Sequence, residues 1–348
     1  MTELPAREPL LPDRMQQGDF FLCDIFDAAP KADMAGMEHP IFSISTKPDR
    51  NLRRYENGSN FVEITPSVKG IATVHDRDVL IYCISQLIAA LNAGRDVSPT
   101  LRFSAHDMLK ATNRMVGGDG YNRLRAALQR LAGTRIETNI VTGGTEELDG
   151  FGLIDDYKIV RESREGRMQE LEVTLSRWVF SAIQAREVLT LSRDYFRLRK
   201  PLERRLYEIA RKHCGAKREW KIGLVKLKAK CGSSSTDREF RRLLGKIIYE
   251  DQAHGHMPDY AIRMDEEGKN VLFISRGSVP VPVEDVFEGA LPSHAHEDAR
   301  SAAPGWDPRY LEQEWRRWCG IEEIEPKHPG RHYVKFCESW FTKRGRPG

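Results

Sequence analysis

The sequence predicts an α+β fold in which one order of helices and strands occurs twice along the 348-residue chain. Hydrophobic residues make up 40% of the sequence and charged residues 30%, which is typical of a folded globular protein. Helical and strand-like periodicities follow one another in the same order in residues 59–190 and 191–277, named here the first and second repeats. A stretch rich in Pro, Ala and acidic residues, 278–306, is predicted to be a linker to an aromatic-rich segment, 307–348.

The N-terminal residues, 1–58, are predicted to form a loosely ordered arm, because Pro, Gly and mixed charges occur there without a sustained period. One short strand is expected at Pro40–Ser45. The first repeat begins with a strand-like alternation at Phe61, followed by a helix from Asp76, its N-cap, to Gly94. That helix is apolar nearly all round, so we expect it at the centre of a core.

The first repeat continues with a strand, a helix, a turn, a second helix and a hairpin. The segments are "PTLRFS", "SAHDMLKATN" with Ser104 as N-cap, the Gly-rich turn "RMVGGDG", "DGYNRLRAALQRLAG", and the strands "TRIETNIVT" and "FGLIDDYKIVR" around the turn "GGTEELDG". A further strand, "LEVTLS", follows. This order is typical of a winged helix, which is a helix-turn-helix with an appended β-hairpin called the wing.

The second repeat shows the same order after a bridging segment, Trp178–Glu187. Its segments are "KPLERRLYEIARKHCG", "EWKIG", "LVKLKAKCG", the turn "SSS", "TDREFRRLLGKIIYEDQA", and the strands "YAIRMD" and "VLFISR" around "EEGKN". The sequence therefore predicts two tandem winged-helix domains, followed by the linker and a small C-terminal helical module.

Basic residues concentrate in the second repeat. Arg197–Arg276 holds 20 Lys and Arg against 11 Asp and Glu, whereas the rest of the chain holds 34 against 40. A basic block inside a chain of net charge +3 is typical of one domain that faces nucleic acid.

The segment "TDREFRRLLGKIIYED" is the strongest candidate for a helix that reads DNA. Thr236 and Glu239 match a capping box, which defines the start of the helix. On a helical wheel the large apolar residues share one arc, and the opposite arc carries Arg238, Arg241, Arg242 and Lys246. Gly245 also lies on the basic arc, where close approach of a partner is one reason to tolerate it. The candidate phosphate contacts before this helix are Ser233, Ser234, Ser235, Lys226, Lys228 and Lys230.

The equivalent helix of the first repeat also carries residue types that read base edges. Its outward candidates are Asn122, Arg123, Arg125 and Gln129, with Lys110 and Arg114 just upstream. The charge is weaker here, so an interface with another subunit is the alternative to DNA. For the basic helix of the second repeat, the alternative is an ordinary solvated surface. The turn "GGTEELDG" carries no Lys or Arg and is not expected to grip phosphate.

The sequence predicts no catalytic residue, no metal and no cofactor. The six cysteines form no C-x-x-C pair, which disfavours zinc and suits a reducing cytoplasm. His254 with His256 and His294 with His296 superficially match the metal ligands of a nicking nuclease, but neither pair is predicted on a strand. The ATP-binding pattern G-x-x-x-x-G-K-[ST] does not occur, and neither an export signal nor a membrane span is expected.

The aromatic-rich segment 307–348 predicts two short amphipathic helices, "RYLEQEWRRWCG" and "HYVKFCESWFTKR". Its aromatic residues are expected to form a small core, and a docking module for a partner is the sharper interpretation. Both alternatives stay open at the level of sequence.

Four stretches in this order resemble the replication initiator protein A family of bacterial plasmids. They are "FVEITPSVKGIATVHDRDVLIYCISQL", "GYNRLRAALQRLAGTRIETNI", "PLERRLYEIARKHCG" and "WKIGLVKLKAKCGSSSTDREFRRLL", and the resemblance covers Phe61 to Arg276. It implies a non-enzymatic protein that binds repeated double-stranded sites at a plasmid origin and helps to open the duplex. It also implies recruitment of the host replicative helicase and initiator proteins, and an exchange between monomer and homodimer.

The resemblance assigns groove reading to the second helix of each helix-turn-helix, so it points to the same Asn, Gln, Arg and Lys candidates. The main rival is a winged-helix transcriptional repressor without a helicase-loading role. A rolling-circle nicking initiator is the enzymatic rival, and the placement of the His pairs disfavours it.

Overall fold

The structure, a computed structural model of the chain, describes residues 10–12, 20–23, 40–57, 60–139, 149–161, 168–184, 188–215, 217–277, 287, 289–292, 294–321 and 324–346. It divides into two compact units. The larger unit comprises residues 1–213 and 220–274, and the smaller unit comprises residues 214–219 and 275–348. Apart from residues 214–219 and 275–277, both repeats therefore belong to the larger unit.

The first half of the larger unit alternates strands and helices. Its elements are β1 (Phe20–Cys23), β2 (Arg53–Asn57), β3 (Asn60–Thr65), α1 (Arg77–Asn92), β4 (Thr100–Ser104), α2 (Ala105–Ala111), α3 (Gly118–Gly133), β5 (Arg135–Thr138), β6 (Asp149–Gly152), β7 (Ile154–Arg161), β8 (Met168–Leu175) and α4 (Arg177–Gln184). The predicted core helix is confirmed, because α1 is buried on nearly every side. The predicted N-cap of α2 is also confirmed, since the Ser104 hydroxyl accepts a hydrogen bond from the Asp107 amide at 3.3 Å.

The predicted hairpin of the first repeat is wrong in one respect, because the stretch "FGLIDDYKIVR" is divided between two sheets. β6 pairs with β5 in a four-stranded sheet of order β2-β3-β5-β6. β7 pairs with β8 in a three-stranded sheet of order β4-β8-β7. Leu153 and Ile154 are consecutive in sequence and both are buried. Because successive residues of one strand point to opposite faces of its sheet, these two buried neighbours mark the place where the chain passes from one sheet to the other. Residues 140–148, which include most of the predicted turn "GGTEELDG", lie outside the described residues.

The second half of the larger unit holds β9 (Val188–Leu191), a 3-10 turn at Arg193–Arg197, α5 (Pro201–His213), β10 (Glu219–Gly223), α6 (Leu224–Cys231), α7 (Asp237–His254), β11 (Tyr260–Met264) and β12 (Asn270–Ser275). Its three-stranded sheet has the order β10-β12-β11. This order matches β4-β8-β7, with the last strand in the centre and the strand before the helix pair at one edge. The predicted repetition of element order therefore extends to the sheets.

The N-terminal segment is only partly described, and it differs from the prediction where it is. No strand forms at Pro40–Ser45, where Ser43 makes a single bridge to Thr73. β1 instead pairs antiparallel with β9. This pairing joins residues 20–23 to residues 188–191, which are far apart in sequence, so no local pattern could predict it.

Buried charges join the start of α1 to α5. Asp78 accepts a hydrogen bond from Arg204 at 2.6 Å and a second from Arg114 at 2.7 Å. Burial alone would raise the pKa of Asp78, but these two guanidinium groups hold it below its ordinary value. Beside this cluster, Arg77 donates to Glu208 at 2.9 Å. These pairs therefore connect elements of both repeats within the larger unit.

The smaller unit holds α8 (Ala295–Ala302), α9 (Pro308–Ile321) and α10 (Pro329–Arg344). The predicted linker, 278–306, is therefore wrong over its second part, where α8 forms. Ala295, Ala299 and Ala303 recur every four residues and are buried in one cluster with residues of α9 and α10. A small-residue face of this kind lets helices approach closely, although the composition alone resembles a linker. Across the described residues, no helix has the length and apolar character needed to span a membrane.

Candidate nucleic-acid interface

The start of α7 is fixed by its N-cap. The Thr236 hydroxyl accepts a hydrogen bond from the Glu239 amide at 3.2 Å. The Glu239 carboxylate instead binds Arg242, accepting from Nη2 at 2.6 Å and from Nε at 2.8 Å. This hydrogen bond lowers the pKa of Glu239. The predicted capping box is thus half formed, and one of the four basic side chains of the helix has an acidic neighbour one turn away.

The predicted division of α7 into two faces is borne out by its burial. Phe240, Leu244, Ile247 and Ile248 are buried, and Leu243 is half-buried. Arg238, Arg241, Arg242 and Lys246 are exposed on the opposite side, together with Gly245. A Cβ placed on Gly245 would meet no atom within 4 Å, so the fold itself does not require glycine there.

The elements before α7 contribute polar groups of two kinds. Ser234 is exposed, and the hydroxyls of Ser233 and Ser235 lie 2.8 Å apart at the surface turn. The Lys228 ammonium donates to Asp237 at 2.6 Å, and 22% of its side chain is exposed. These groups surround the N-terminus of α7, where backbone amides favour anions.

Lys230 does not belong to this surface, which corrects its prediction as a DNA contact. It is only 3% exposed, and its Nζ lies 2.9 Å from His213 Nε2. The ammonium also lies 6.0 Å from the ring centroid of Trp220. The position follows Leu227 by three residues and precedes Cys231, both of which are buried, so the helix turns this lysine inward.

An open groove of about 470 Å³ runs between the start of α6, α7 and the loop before β12. Its cationic lining comes from Lys226, Lys228, Arg241 and Lys269, with Asp237 as the acidic member. Lys269 is a residue that sequence reasoning missed. In the sequence, the tight loop "EEGKN" was the signal that could have pointed to it. In the structure, Gly268 of this loop has a φ of +66°, and a Cβ atom built on it would lie 3.3 Å from the Arg241 guanidinium. The loop tip therefore lies beside α7, and its lysine lies beside the basic face.

The outward face of α3 in the first repeat is less basic than that of α7. Asn122 and Arg123 are exposed, whereas Arg125 and Gln129 are half-buried. Arg123 forms an ion pair with Asp119 at 2.7 Å one turn earlier. Lys110 is exposed at the end of α2. One charge of α3, that of Arg123, is therefore already balanced.

Arg114 is not available as a phosphate contact, which corrects a second prediction. Its Nη2 and Nε bind Asp78 at 2.7 and 3.1 Å, and its Nη2 also donates to the His75 carbonyl. The side chain is therefore part of the buried charge cluster. The turn that follows it exposes Met115 and Val116 instead.

One group of residues could hold a metal ion by its geometry, among the described residues. Glu203, Glu250 and His256 bring their ligand atoms within 4.8 Å of one another. The Lys200 ammonium already donates to Glu203 at 3.0 Å and also to Glu250. A lysine therefore supplies the positive charge that the two carboxylates require. The partner of His256 in sequence, His254, is exposed at the last turn of α7.

Comparisons with known proteins assign the chain to a family. The model of the family described as replication initiator protein A matches residues 31–262. The chain belongs to the replication initiator protein A family. A curated relative in Wigglesworthia glossinidia brevipalpis, described as a putative replication protein, is 38% identical over 263 residues. That alignment covers 74% of this chain and 94% of the relative.

The initiator is also similar in fold to a solved structure. A crystal structure of domains 2 and 3 of RctB matches with a TM-score of 0.51 at 14% identity, covering 68% of this chain and 95% of that one. A second RctB structure of the same domains gives a TM-score of 0.48 at 14% identity, covering 69% and 96%. At this identity the first likeness concerns the fold alone.

Proposed function

We propose that this replication initiator binds repeated double-stranded sites at a plasmid origin, helps to open the duplex and recruits the host replicative helicase and initiator proteins. The observation that carries DNA binding is the exposed basic face of α7 beside the groove lined by Lys226, Arg241 and Lys269. It supports a helix that enters the major groove with cations on both sides for the phosphates.

In this proposal both repeats are winged helices. The helix pairs α2–α3 and α6–α7 are the helix-turn-helix motifs, and the hairpins β7–β8 and β11–β12 are the wings. The shared sheet orders β4-β8-β7 and β10-β12-β11 support this assignment, because each wing then pairs with the strand that precedes its helix pair.

The arginines and lysines on and beside α7 are assigned to different parts of the DNA according to their chemistry. Arg238, Arg241 and Arg242 present guanidinium forks that match the acceptor pair of guanine in the major groove. Lys246, Lys228 and Lys269 are compact cations suited to phosphate oxygens. The serines at 233–235 and the amides at the start of α7 complete a phosphate contact.

The first repeat makes the weaker contact in this proposal. Asn122, Arg125 and Gln129 supply base-reading types on α3, and Lys110 supplies one phosphate contact. Contact of the same face with a second copy of the chain is the alternative use, and it would account for a homodimer. The protein acts by binding in the cytoplasm and performs no catalysis of its own in this proposal.

Footprinting of the DNA that flanks the gene for this protein tests the proposal. Several evenly spaced protected repeats are expected, since an initiator assembles on an array of sites. A single protected palindrome would instead identify a transcriptional repressor. Incubation of supercoiled origin DNA with the protein and Mg²⁺ or Mn²⁺ tests the nicking alternative, and a covalent protein–DNA adduct would overturn the non-enzymatic assignment.

A further inference from the structure

Six aromatic side chains of the smaller unit form a continuous row. In order they are Tyr310, Trp306, Trp340, Phe336, Trp318 and His332, and neighbouring ring centroids lie 5.5 to 5.9 Å apart. We name these six residues the aromatic row. His332, Phe336 and Trp340 recur every four residues, so they follow one face of α10. The rings of α9 and of the turn before it complete the row beside that face.

The aromatic row borders the core of the unit, and its members Trp306, Phe336 and Trp340 are partly buried against that core. The core is closed by fully buried residues of the three helices, which are Ala295, Ala299, Ala303, Leu311, Trp315, Cys319, Tyr333 and Cys337. In the row, by contrast, Tyr310 remains 42% exposed and Trp318 remains 37% exposed. Packing against the core accounts for the partly buried rings of the row, whereas large exposed rings such as those of Tyr310 and Trp318 mark an interaction site.

Basic residues accompany the aromatic row. α10 carries four basic residues, Arg331, Lys335, Lys343 and Arg344, against a single acidic residue, Glu338. Lys343 follows Phe336 by seven residues, so it lies on the same face of the helix as the row. The Arg344 guanidinium lies 4.0 Å from the ring centroid of Trp340, at one end of the helix. Arg317 follows Tyr310 by seven residues on α9, so both point to the same side of that helix. The row therefore offers ring faces with cations at its borders.

We propose that the aromatic row binds single-stranded DNA, with bases stacked on Tyr310 and Trp318 and phosphates beside Lys343 and Arg344. Exposed rings bordered by cations are the combination that holds single strands without sequence preference. A duplex does not fit, because its base faces are covered by their neighbours in the stack. The inference rests on the proposed function, which it deepens, since opening an origin produces single strands that need a binding surface.

Fluorescence anisotropy of the full chain with a labelled oligothymidylate of about 20 nucleotides tests the inference. The double variant Tyr310→Ala/Trp318→Ala is expected to bind this strand at least about tenfold more weakly, because base–aromatic stacking contributes about 1–3 kcal/mol per base. Tyr310→Phe/Trp318→Phe keeps both rings and should keep the affinity. Leu52→Ala/Val68→Ala, which removes exposed apolar side chains of the larger unit, is the matched control and should also bind as the wild type does.

An abasic strand of the same length separates stacking from charge. It retains the phosphates, so binding equal to that of oligothymidylate would overturn the inference. An alanine double variant with unchanged affinity for oligothymidylate would overturn it as well, and would leave the row to a protein partner. Footprints measured in parallel keep the two proposals apart. If no repeated sites are protected while oligothymidylate binding still depends on Tyr310 and Trp318, the proposed function fails and the aromatic row stands.

Discussion

The two repeats share one topology but use their arginines differently. In the first repeat, Arg114 and Arg130 are committed to carboxylates near the start of α1, where Arg130 binds Asp76 through two hydrogen bonds of 2.6 and 2.7 Å. In the second repeat, Arg238 and Arg241 are exposed on α7. A guanidinium held by a buried carboxylate stabilises a fold, whereas one facing solvent is available to a partner. Arginine content alone therefore does not show which guanidinium groups are available to a partner, because that depends on where their acidic partners lie.

The largest effect is expected from breaking the buried charge cluster. Arg204→Ala leaves Asp78 buried with one guanidinium fewer, and should lower the free energy of unfolding by about 3–5 kcal/mol. Urea denaturation of the full chain measures this change. Arg123→Ala removes an exposed ion pair of the first repeat and should shift the free energy by less than about 0.5 kcal/mol. Equal losses in the two variants would show that the cluster does not hold the fold together.

The next effect compares the two helices proposed to read DNA, α3 and α7. Arg242→Ala should weaken binding to the cognate site by about 1–3 kcal/mol, because the guanidinium proposed to read guanine is lost. Its stability should stay near that of the wild type, since the side chain is half exposed. Arg125→Ala on α3 is the matched change in the first repeat and should weaken binding less. Cognate affinity that survives Arg242→Ala would remove α7 from the groove.

Two neighbouring lysines of α6 should respond in opposite ways. Lys228→Ala should weaken binding to all DNA sequences and reduce the slope of affinity against salt by about one unit. Lys230→Ala should leave that slope unchanged and lower thermal stability instead, because its ammonium is buried against His213 and Trp220. Affinity titrations at several salt concentrations, with a melting curve for each variant, compare the two. A reduced salt slope in Lys230→Ala would contradict its interior assignment.

The smallest effect concerns Gly245. Alanine at this position should raise the free energy of unfolding by about 0.5–1 kcal/mol, because glycine is a poor helix former and the added methyl group meets no atom. If DNA approaches the backbone here, the same Gly245→Ala change should weaken cognate binding. A variant that gains stability and keeps its full affinity would mean that the glycine serves no contact.

Local features were predictable from sequence and long-range contacts were not. The start of α7 follows from Thr236, and its end follows from the left-handed Gly255, so both ends are encoded within a few residues. The two faces of α7 also follow from its period. The burial of Lys230 depends on His213 and Trp220, and the position of Arg114 depends on Asp78, all of which lie on other elements. A helical wheel contains no information about such partners.

The division of "FGLIDDYKIVR" between two sheets has the same cause. Alternation predicted a strand correctly on each side of Leu153, but the choice of partner strand is made by β5 and β8. The small alanine face of α8 was missed for a related reason. Ala295, Ala299 and Ala303 form a helix face that is buried by residues of α9 and α10, and the sequence of α8 alone does not show those partners. Composition identified a linker where packing makes a helix.

The contact of Arg204 with Asp78 also bears on the geometry of a DNA site. This buried pair links α5 of the second repeat to α1 of the first. If α3 and α7 read DNA as proposed, a link between the repeats helps to fix their separation before any DNA is bound. In the proposed complex, the separation of α3 and α7 determines the spacing between the two parts of the DNA site. Base pairs inserted between the parts of a site proposed for α3 and α7 are then expected to rotate one part out of reach of its helix.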